Sequence, residues 1–306
     1  MASRWPCSRW AVFGFLFLLL SSASLFAWEG RPFLWRIEGA EVTSYAFGTV
    51  HLGDPRLRIL PPSVNAAFER SDVVYTEISF DPPALSAAHR ASQAPPGEGL
   101  LQRLPADLYA DAARALAAID EALQLEAYDG MRVWAFATEL ITFEARLRYP
   151  FAVSMDYQLY QRAVRDGREV RALESVDEQL AVFREMTASQ EEAMLRDTLA
   201  HLDGARAEGS DPMDDLVRIY LSGDGEALAA QLDLWADERS PENEHLLDAV
   251  ITQRDAVMAE RMAANLRGEP NRVHFFAVGA AHFLSSAGIL YHLEKAGFVV
   301  SRVEPD

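Results

Sequence analysis

The sequence of 306 residues holds a single cysteine, Cys7. It stands before the only long apolar run, Trp10 to Leu20, so it cannot be the lipidated cysteine of a lipoprotein, which must follow such a run. If the segment up to residue 27 is removed, no cysteine remains, which excludes disulfides, thiol catalysis and cysteine-ligated zinc together. The sequence also lacks a GxSxG elbow, an HExxH helix, a Walker loop and a GxGxxG fingerprint. Serine-hydrolase, zincin, nucleotide and dinucleotide chemistries therefore have no motif to rest on. Positive charge is scarce: 28 Lys and Arg face 46 Asp and Glu, a net charge of −18. Such a surface disfavours nucleic acid and anionic lipid, and the acids are spread over helical faces as a hydrated surface would have them.

Residues 1 to 27 carry Arg4 and Arg9 ahead of the apolar run, which is shorter than the roughly 20 residues a spanning helix needs. This is the pattern of a secretory signal, with cleavage after Ala23 or Ala27; an uncleaved anchor is the alternative. Removal takes away two arginines and no acid, so the net charge falls from −18 to −20. The expectation is a periplasmic or secreted protein with no stable membrane insertion after cleavage. Residues 28 to 306 are expected to form one domain.

The two ends of that domain read as α/β. Residues 33–38 and 42–47 read as strands around Gly39, and Pro61-Pro62-Ser63 opens a short helix with Ser63 as N-cap. Residues 73–78, β-branched and apolar, form the next strand, and strand, helix, strand implies parallel pairing. Residues 82–99 show little periodicity and read as loop. Apolar spacing of three and four then predicts helices over 107–127, 131–147, 156–166, 176–202, 213–221 and 241–266. A short strand at 168–174 interrupts them. Residues 273–278, a helix over 286–296 and residues 298–300 complete the pattern. The fold class is thus α/β, a mixed or parallel sheet built from both chain ends around a large helical insertion at about 105–268.

Two copies of one local pattern lie in those ends: Gly48-Thr49-Val50-His51 and Gly279-Ala280-Ala281-His282. Each ends an apolar β-like run at a glycine and presents a histidine three residues later, where a strand gives way to a loop. If the two strands are parallel neighbours, both histidines emerge at the carboxyl edge, where open α/β sheets bind ligands. Glu77 ends the strand after His51 and would emerge there too. Two histidines and a carboxylate can hold a catalytic divalent ion with positions left open for water. Glu174 would serve as general base or further ligand. Each residue also has an ordinary structural alternative. The histidines can bond loop backbone, Glu77 can cap a helix or face water, Glu174 can complement a helix dipole, and Arg254 can make a surface salt bridge. His89, His201, His245, His274 and His292 are read as structural.

Leu34-Trp35-Arg36-Ile37, the Gly48–His51 element, Ser71-Asp72-Val73-Val74-Tyr75-Thr76-Glu77, Leu173-Glu174-Ser175-Val176-Asp177-Glu178-Gln179 and Val278–His282 resemble the TraB/PrgY/GumN family, which includes the TIKI proteases. A helix containing Asp156 precedes the fourth of these. The resemblance spans nearly the whole domain and is nearest to exported bacterial members of the GumN type. It implies a core related to erythromycin-esterase-like and ChaN-like proteins. It also implies a metal-dependent hydrolase site with His51, Glu77 and His282 at its centre. Arg254 matches a family arginine usually followed by asparagine; here Asp255 follows. The resulting expectation is a hydrolase dependent on Mn, Co or Zn that acts on peptide or protein. His51, Glu77 and His282 would bind the metal, Glu77, Glu174 and Arg254 would assist catalysis, and Arg254 would hold substrate charge or an oxyanion. The alternative is a non-catalytic periplasmic protein that binds a ligand or partner, or an accessory of envelope or exopolysaccharide assembly.

Overall fold

A computed structural model describes residues 28, 30–237, 240–241 and 246–304. Residues 1–27, read from the sequence as a secretory signal, and His245 lie outside these residues. Among the described residues, no helix is long and apolar enough to cross a membrane.

Six strands form one mixed sheet: β1 Leu34–Glu38, β2 Ser44–Thr49, β3 Val73–Thr76, β4 Glu169–Ala172, β5 His274–Gly279 and β6 Val299–Arg302. Their spatial order is β4-β3-β5-β2-β1-β6. The four strands from β4 to β2 run parallel, and β1 is antiparallel to both β2 and β6. Every strand expected from the sequence is present, and β2 and β5 are parallel neighbours. Strands β2, β3 and β5 are buried along their full length, as expected of parallel strands covered on both faces. The outer strands β4 and β6 are half-buried to exposed along their length, so charged residues such as Arg171 and Arg302 occupy the edges.

Helix α1 (Pro62–Arg70) crosses from β2 to β3 and buries Val64, Ala67 and Phe68. Its N-cap is Pro61, which places Ser63 inside the first turn; Pro62 at the first helical position loses only an N–H that would be unpaired anyway. Residues 82–99, expected as loop, contain α2 (Pro82–Ser92). Asp81 caps it through Ala84 N at 2.8 Å, and two prolines open its first turn. No residue of this helix is fully buried; its half-buried face is Ala84, Ala87, Ala88 and Ala91, small side chains that make a weak apolar stripe behind two prolines.

The insertion between β3 and β5 continues with α3 (Leu100–Arg103), α4 (Ala106–Ile119), α5 (Val133–Arg148) and α6 (Met155–Arg165). Strand β4 follows. The helix expected over 176–202 is three helices: α7 (Val176–Gln179), α8 (Ala181–Arg184) and α9 (Ala188–Glu208). Capping boxes at Ser175 and Thr187 start the first and third, each satisfying two terminal N–H groups and so fixing a boundary inside an apolar-periodic stretch. Next come α10 (Pro212–Ser222), α11 (Gly225–Asp237), which the sequence reading missed, α12 (Leu246–Val250) and α13 (Thr252–Gly268). Helix α14 (Ile289–Lys295) returns the chain to β6.

The main core lies on both faces of the sheet. Phe47 and Phe68 pack on Phe275, Tyr75 on Phe276, and Phe33 stacks on Tyr220 with ring centres 5.2 Å apart. A second apolar cluster, including Leu108, Phe136, Leu140 and Leu195, joins α4, α5 and α9 away from the sheet. Tyr220 donates from its hydroxyl to the Gly48 carbonyl at 2.5 Å and so ties α10 to the end of β2.

Candidate active site

Both GxxH glycines answer a steric need. A Cβ at Gly48 would lie 2.9 Å from the Phe33 Cβ and 3.1 Å from Ala280. At Gly279 it would lie 3.1 Å from both Glu77 Oε1 and His51 Nε2. The register pairs Gly48 with Val278 and Thr49 with Gly279, so the two motifs run side by side with an offset of one residue. Beyond Thr49 the chain turns out at Val50 and His51, and beyond Gly279 a 3-10 turn (Ala280–Phe283) delivers His282. Glu77 and Glu174 follow β3 and β4 at the same carboxyl edge, where the Glu174 N–H donates to the Glu77 carbonyl at 2.7 Å.

The structure gathers all five residues singled out from the sequence. Glu77 lies at the centre with 4% of its side chain exposed. Its Oε1 accepts from Gly279 N at 2.7 Å and lies 3.2 Å from His51 Nε2 and 3.8 Å from His282 Nε2. Its Oε2 accepts from Gln179 Nε2 at 2.9 Å and Arg254 Nη2 at 2.7 Å. Arg254 also holds Glu174 through Nη2 at 2.6 Å and Nε at 3.0 Å, and gives Nη1 to the Val250 carbonyl at 2.9 Å. Its side chain is 12% exposed, so this is a buried ion triad and not the surface pair that sequence context favoured.

Two carboxylates complete the arrangement from behind. His51 Nδ1 lies 3.3 Å from Asp156 Oδ2, and His282 Nδ1 lies 2.6 Å from Asp255 Oδ1. A carboxylate on Nδ1 fixes the ring and aims Nε2 toward the shared oxygen of Glu77, an arrangement typical of histidines that hold metals. Asp255 is fully buried on α13, one residue after Arg254. Sequence reasoning treated it only as a departure from the family pattern, although an acid adjacent to a site arginine was the available signal. Asp156, in the first turn of α6, and Gln179 were noticed only as parts of family elements.

The electrostatics call for a cation. Glu77, Glu174, Asp156 and Asp255 are four buried carboxylates against one guanidinium, Arg254, which leaves three negative charges when the imidazoles are neutral. Burial opposes a charge on His51, yet the Asp156 and Glu77 carboxylates outweigh it and hold the imidazole well above its ordinary pKa. Half of the His51 side chain is exposed, so the opposing desolvation is only partial. Burial likewise opposes the Glu77 charge, and the two imidazoles with Arg254 overcome it, holding that carboxyl well below the usual range. Burial pushes the Asp255 carboxyl up, against the pull of His282. Among the described residues, the buried oxygens of Asp156 (Oδ1), Asp255 (Oδ2) and Thr49 (Oγ1) find no hydrogen-bond partner.

This donor set fits a divalent ion in chemistry: two imidazole nitrogens, one carboxylate oxygen and uncompensated negative charge behind them. The atoms stand in contact with each other, however, and among the described residues no group of three or more His, Cys, Asp or Glu is spread as a ready-made metal cage. A cavity of about 630 Å³ opens over the site, lined by the strand ends and by residues of α5, α8, α10 and α11. A larger one of about 940 Å³, between the 54–60 segment and residues 148–165, contains none of these groups.

Comparison with known proteins matches the TraB/PrgY/gumN family over residues 33–302. Among curated proteins, the chain is 28% identical to Metalloprotease TIKI2 of Danio rerio over 90% of its own length and 61% of that protein's. It is 26% identical to Metalloprotease TIKI1 of Homo sapiens over 89% and 62% of the respective lengths. It is 24% identical to the Metalloprotease TIKI homolog of Nematostella vectensis over 90% and 68%. The chain spans about three-fifths of the first of these relatives. No solved structure matches.

Proposed function

The chain belongs to the TraB/PrgY/gumN family, and from that premise we propose that it is an exported, metal-dependent hydrolase that cleaves peptide bonds. The observation that carries this reading is the pair of histidines, each backed by a buried carboxylate at Nδ1, whose Nε2 atoms converge on Glu77 Oε1. The relatives compared above are all named as metalloproteases, which supports the reaction class. Export rests on the leader pattern of residues 1–27.

In this reading His51, His282 and Glu77 hold a divalent ion of Mn, Co or Zn type. When bound, such an ion lowers the pKa of water to about 7 and polarises a carbonyl. Glu77, held ionised by its donors, is a weak proton acceptor and serves better as a ligand than as a base. Glu174 has both oxygens on Arg254 and acts by positioning that arginine. Arg254 Nη1 gives one N–H to Val250 and keeps a second for a developing oxyanion. Hydrolysis then joins the water oxygen to the carbonyl carbon, breaks the C–N bond and leaves the water's proton on the amine. Asp156, which also lines the cavity, faces His51 Nδ1 through Oδ2 and holds that imidazole in place.

A binding protein without turnover is the second reading, favoured by the absence of a ready-made cage among the described residues. Metal content decides between the two. Protein purified without chelator should carry, or take up, close to one equivalent of Mn, Co or Zn. The His51→Ala/His282→Ala double variant should carry none, and peptide hydrolysis should follow the metal. A folded parent that stays empty after incubation with all three ions would leave the binding reading in its place.

A further inference from the structure

The cavity over the site is uniform in chemistry. Among the described residues, its ionisable side chains are His51, Glu77, Asp156, Arg254 and His282 alone. Each of these is paired with another side chain of the site. The rest of the described lining is uncharged, in a chain with 74 formal charges among 306 residues. Phe80, Phe183, Met213, Leu216, Leu228 and Leu232, from the loop after β3 and from α8, α10 and α11, supply much of the wall. The two phenylalanines are set in aromatic contacts: Phe183 stacks on Trp134 with centres 4.9 Å apart, and Phe80 packs between Tyr157 and Tyr160. The hydroxyls of Thr138 and Thr142, which also line the cavity, donate to carbonyls of their own helix, Trp134 and Glu139.

Resting on the reading that this site holds peptide, we propose that it takes an extended segment whose residue beside the scissile bond is large and apolar, and that it rejects charged side chains there. About 630 Å³ is the size of a pocket for a few residues, not for a folded surface, so the substrate enters as an unfolded segment or chain end. A charged side chain seated against that wall would lose its water and find no counter-charge there, because the unpartnered carboxylate oxygens of Asp156 and Asp255 are enclosed and the described wall away from the strand ends is uncharged. A leucine or phenylalanine would displace water from an apolar wall instead.

The test uses the full-length processed protein and one peptide sequence varied at a single central position: Leu, Phe, Ala, Lys or Glu. Binding is read by fluorescence anisotropy in chelator, where no metal-dependent turnover occurs, and cleavage is read separately with Mn, Co and Zn. Leu and Phe peptides should bind at least about tenfold more tightly than Ala, and about a hundredfold more tightly than Lys or Glu. Leu216→Glu, at a half-buried wall position, should reduce Leu binding about tenfold or more and Lys binding less, with Leu216→Met as the conservative control. Equal binding across the series within about threefold, or no binding of any peptide, would overturn the inference. Selective binding without cleavage in any metal would sustain it and remove the hydrolase reading. Cleavage without selectivity would do the reverse.

Discussion

Replacing Arg254 with methionine isolates the buried ion triad. The side chain keeps much of its volume, so what is lost is charge. Arg254 donates to two carboxylates that are 4% and 3% exposed, and through Nη1 to the Val250 carbonyl. Breaking a buried pair by removing one partner costs about 3–5 kcal/mol, because the remaining charge is left buried. Here two carboxylates lose their guanidinium, while Glu77 keeps donors in Gly279 N and Gln179 and Glu174 loses its hydrogen-bonded counter-ion. The expected loss of unfolding free energy is therefore about 3–5 kcal/mol, a fall in Tm of about 6–10 °C at roughly 2 °C per kcal/mol for a chain of this length. The Arg254→Met/Glu174→Gln double variant should regain part of it, because the unpaired charge is removed. The sign with pH follows from Glu77, whose folded pKa lies below its unfolded value. Its contribution is present above about pH 4.3 and is lost as the pH falls, so the deficit of the variant should shrink in acid. Urea denaturation of parent, both single variants and the double variant at pH 7 and pH 4 reads all of this. A loss below about 1 kcal/mol at pH 7, or no coupling between Arg254 and Glu174, would refute the triad as a unit.

Other consequences are open to direct measurement. Gly279→Ala places a methyl group against Glu77 Oε1 and His51 Nε2, so it should reduce bound metal and peptide hydrolysis at least about tenfold with little change in Tm; unaltered metal content would count against a site at this edge. Asp255→Ala should weaken metal binding about 10- to 100-fold by freeing His282 Nδ1, and Asp255→Asn should restore most of it; equal affinities in parent and alanine variant would refute the positioning role. Burial holds the His274 imidazole below its ordinary value of about 6.5. Its stabilising contribution is thus complete above that pH and is lost as the pH falls through it; chemical denaturation between pH 5 and 8 should show a slope that His274→Gln flattens. Phe275→Ala, a fully buried ring in contact with Phe47 and Phe68, should cost about 3–5 kcal/mol, read by the same denaturation.

The sheet was legible because buried parallel strands write themselves as apolar β-branched and aromatic runs, and all six strands of this one carry that mark or pair with a strand that does. The convergence of His51 and His282 was legible for a related reason. Matched glycines ending matched strands predict parallel neighbours, and the register of β2 against β5 is that pairing. The helical boundaries were less readable. Over 176–202 the apolar spacing runs on across breaks that only the capping residues Ser175 and Thr187 mark, and the inward face of α2 is written only in alanines, Ala84, Ala87, Ala88 and Ala91, behind two prolines. Asp255 was hidden differently: a buried acid next to an arginine on a polar-looking helix has the local sequence of a surface salt bridge. Only the returning end of the chain reveals it, because its partner His282 arrives on another element.

The first turn of α13 therefore does two jobs with two consecutive residues. Side chains one position apart on a helix diverge by about 100°. Arg254 can thus reach Glu77 and Glu174 beyond β3 and β4 while Asp255 reaches His282 beyond β5. A cation in the first turn of a helix opposes the helix dipole, and an acid there agrees with it. Arg254 is held against that dipole by two buried carboxylates, whereas Asp255 needs no such compensation. Moving this turn would disturb both sides of the site at once, the carboxylates through Arg254 and the imidazole through Asp255. Ile251, which caps α13, also lines the cavity. Substitutions at Ile251 should consequently alter metal affinity and peptide affinity together, whereas changes at Leu216, on α10 and away from this turn, should alter peptide affinity alone. Metal titration and peptide anisotropy on Ile251→Gly and Leu216→Glu separate the two. Equal effects of both variants on metal affinity would show that the turn has no special hold on the site.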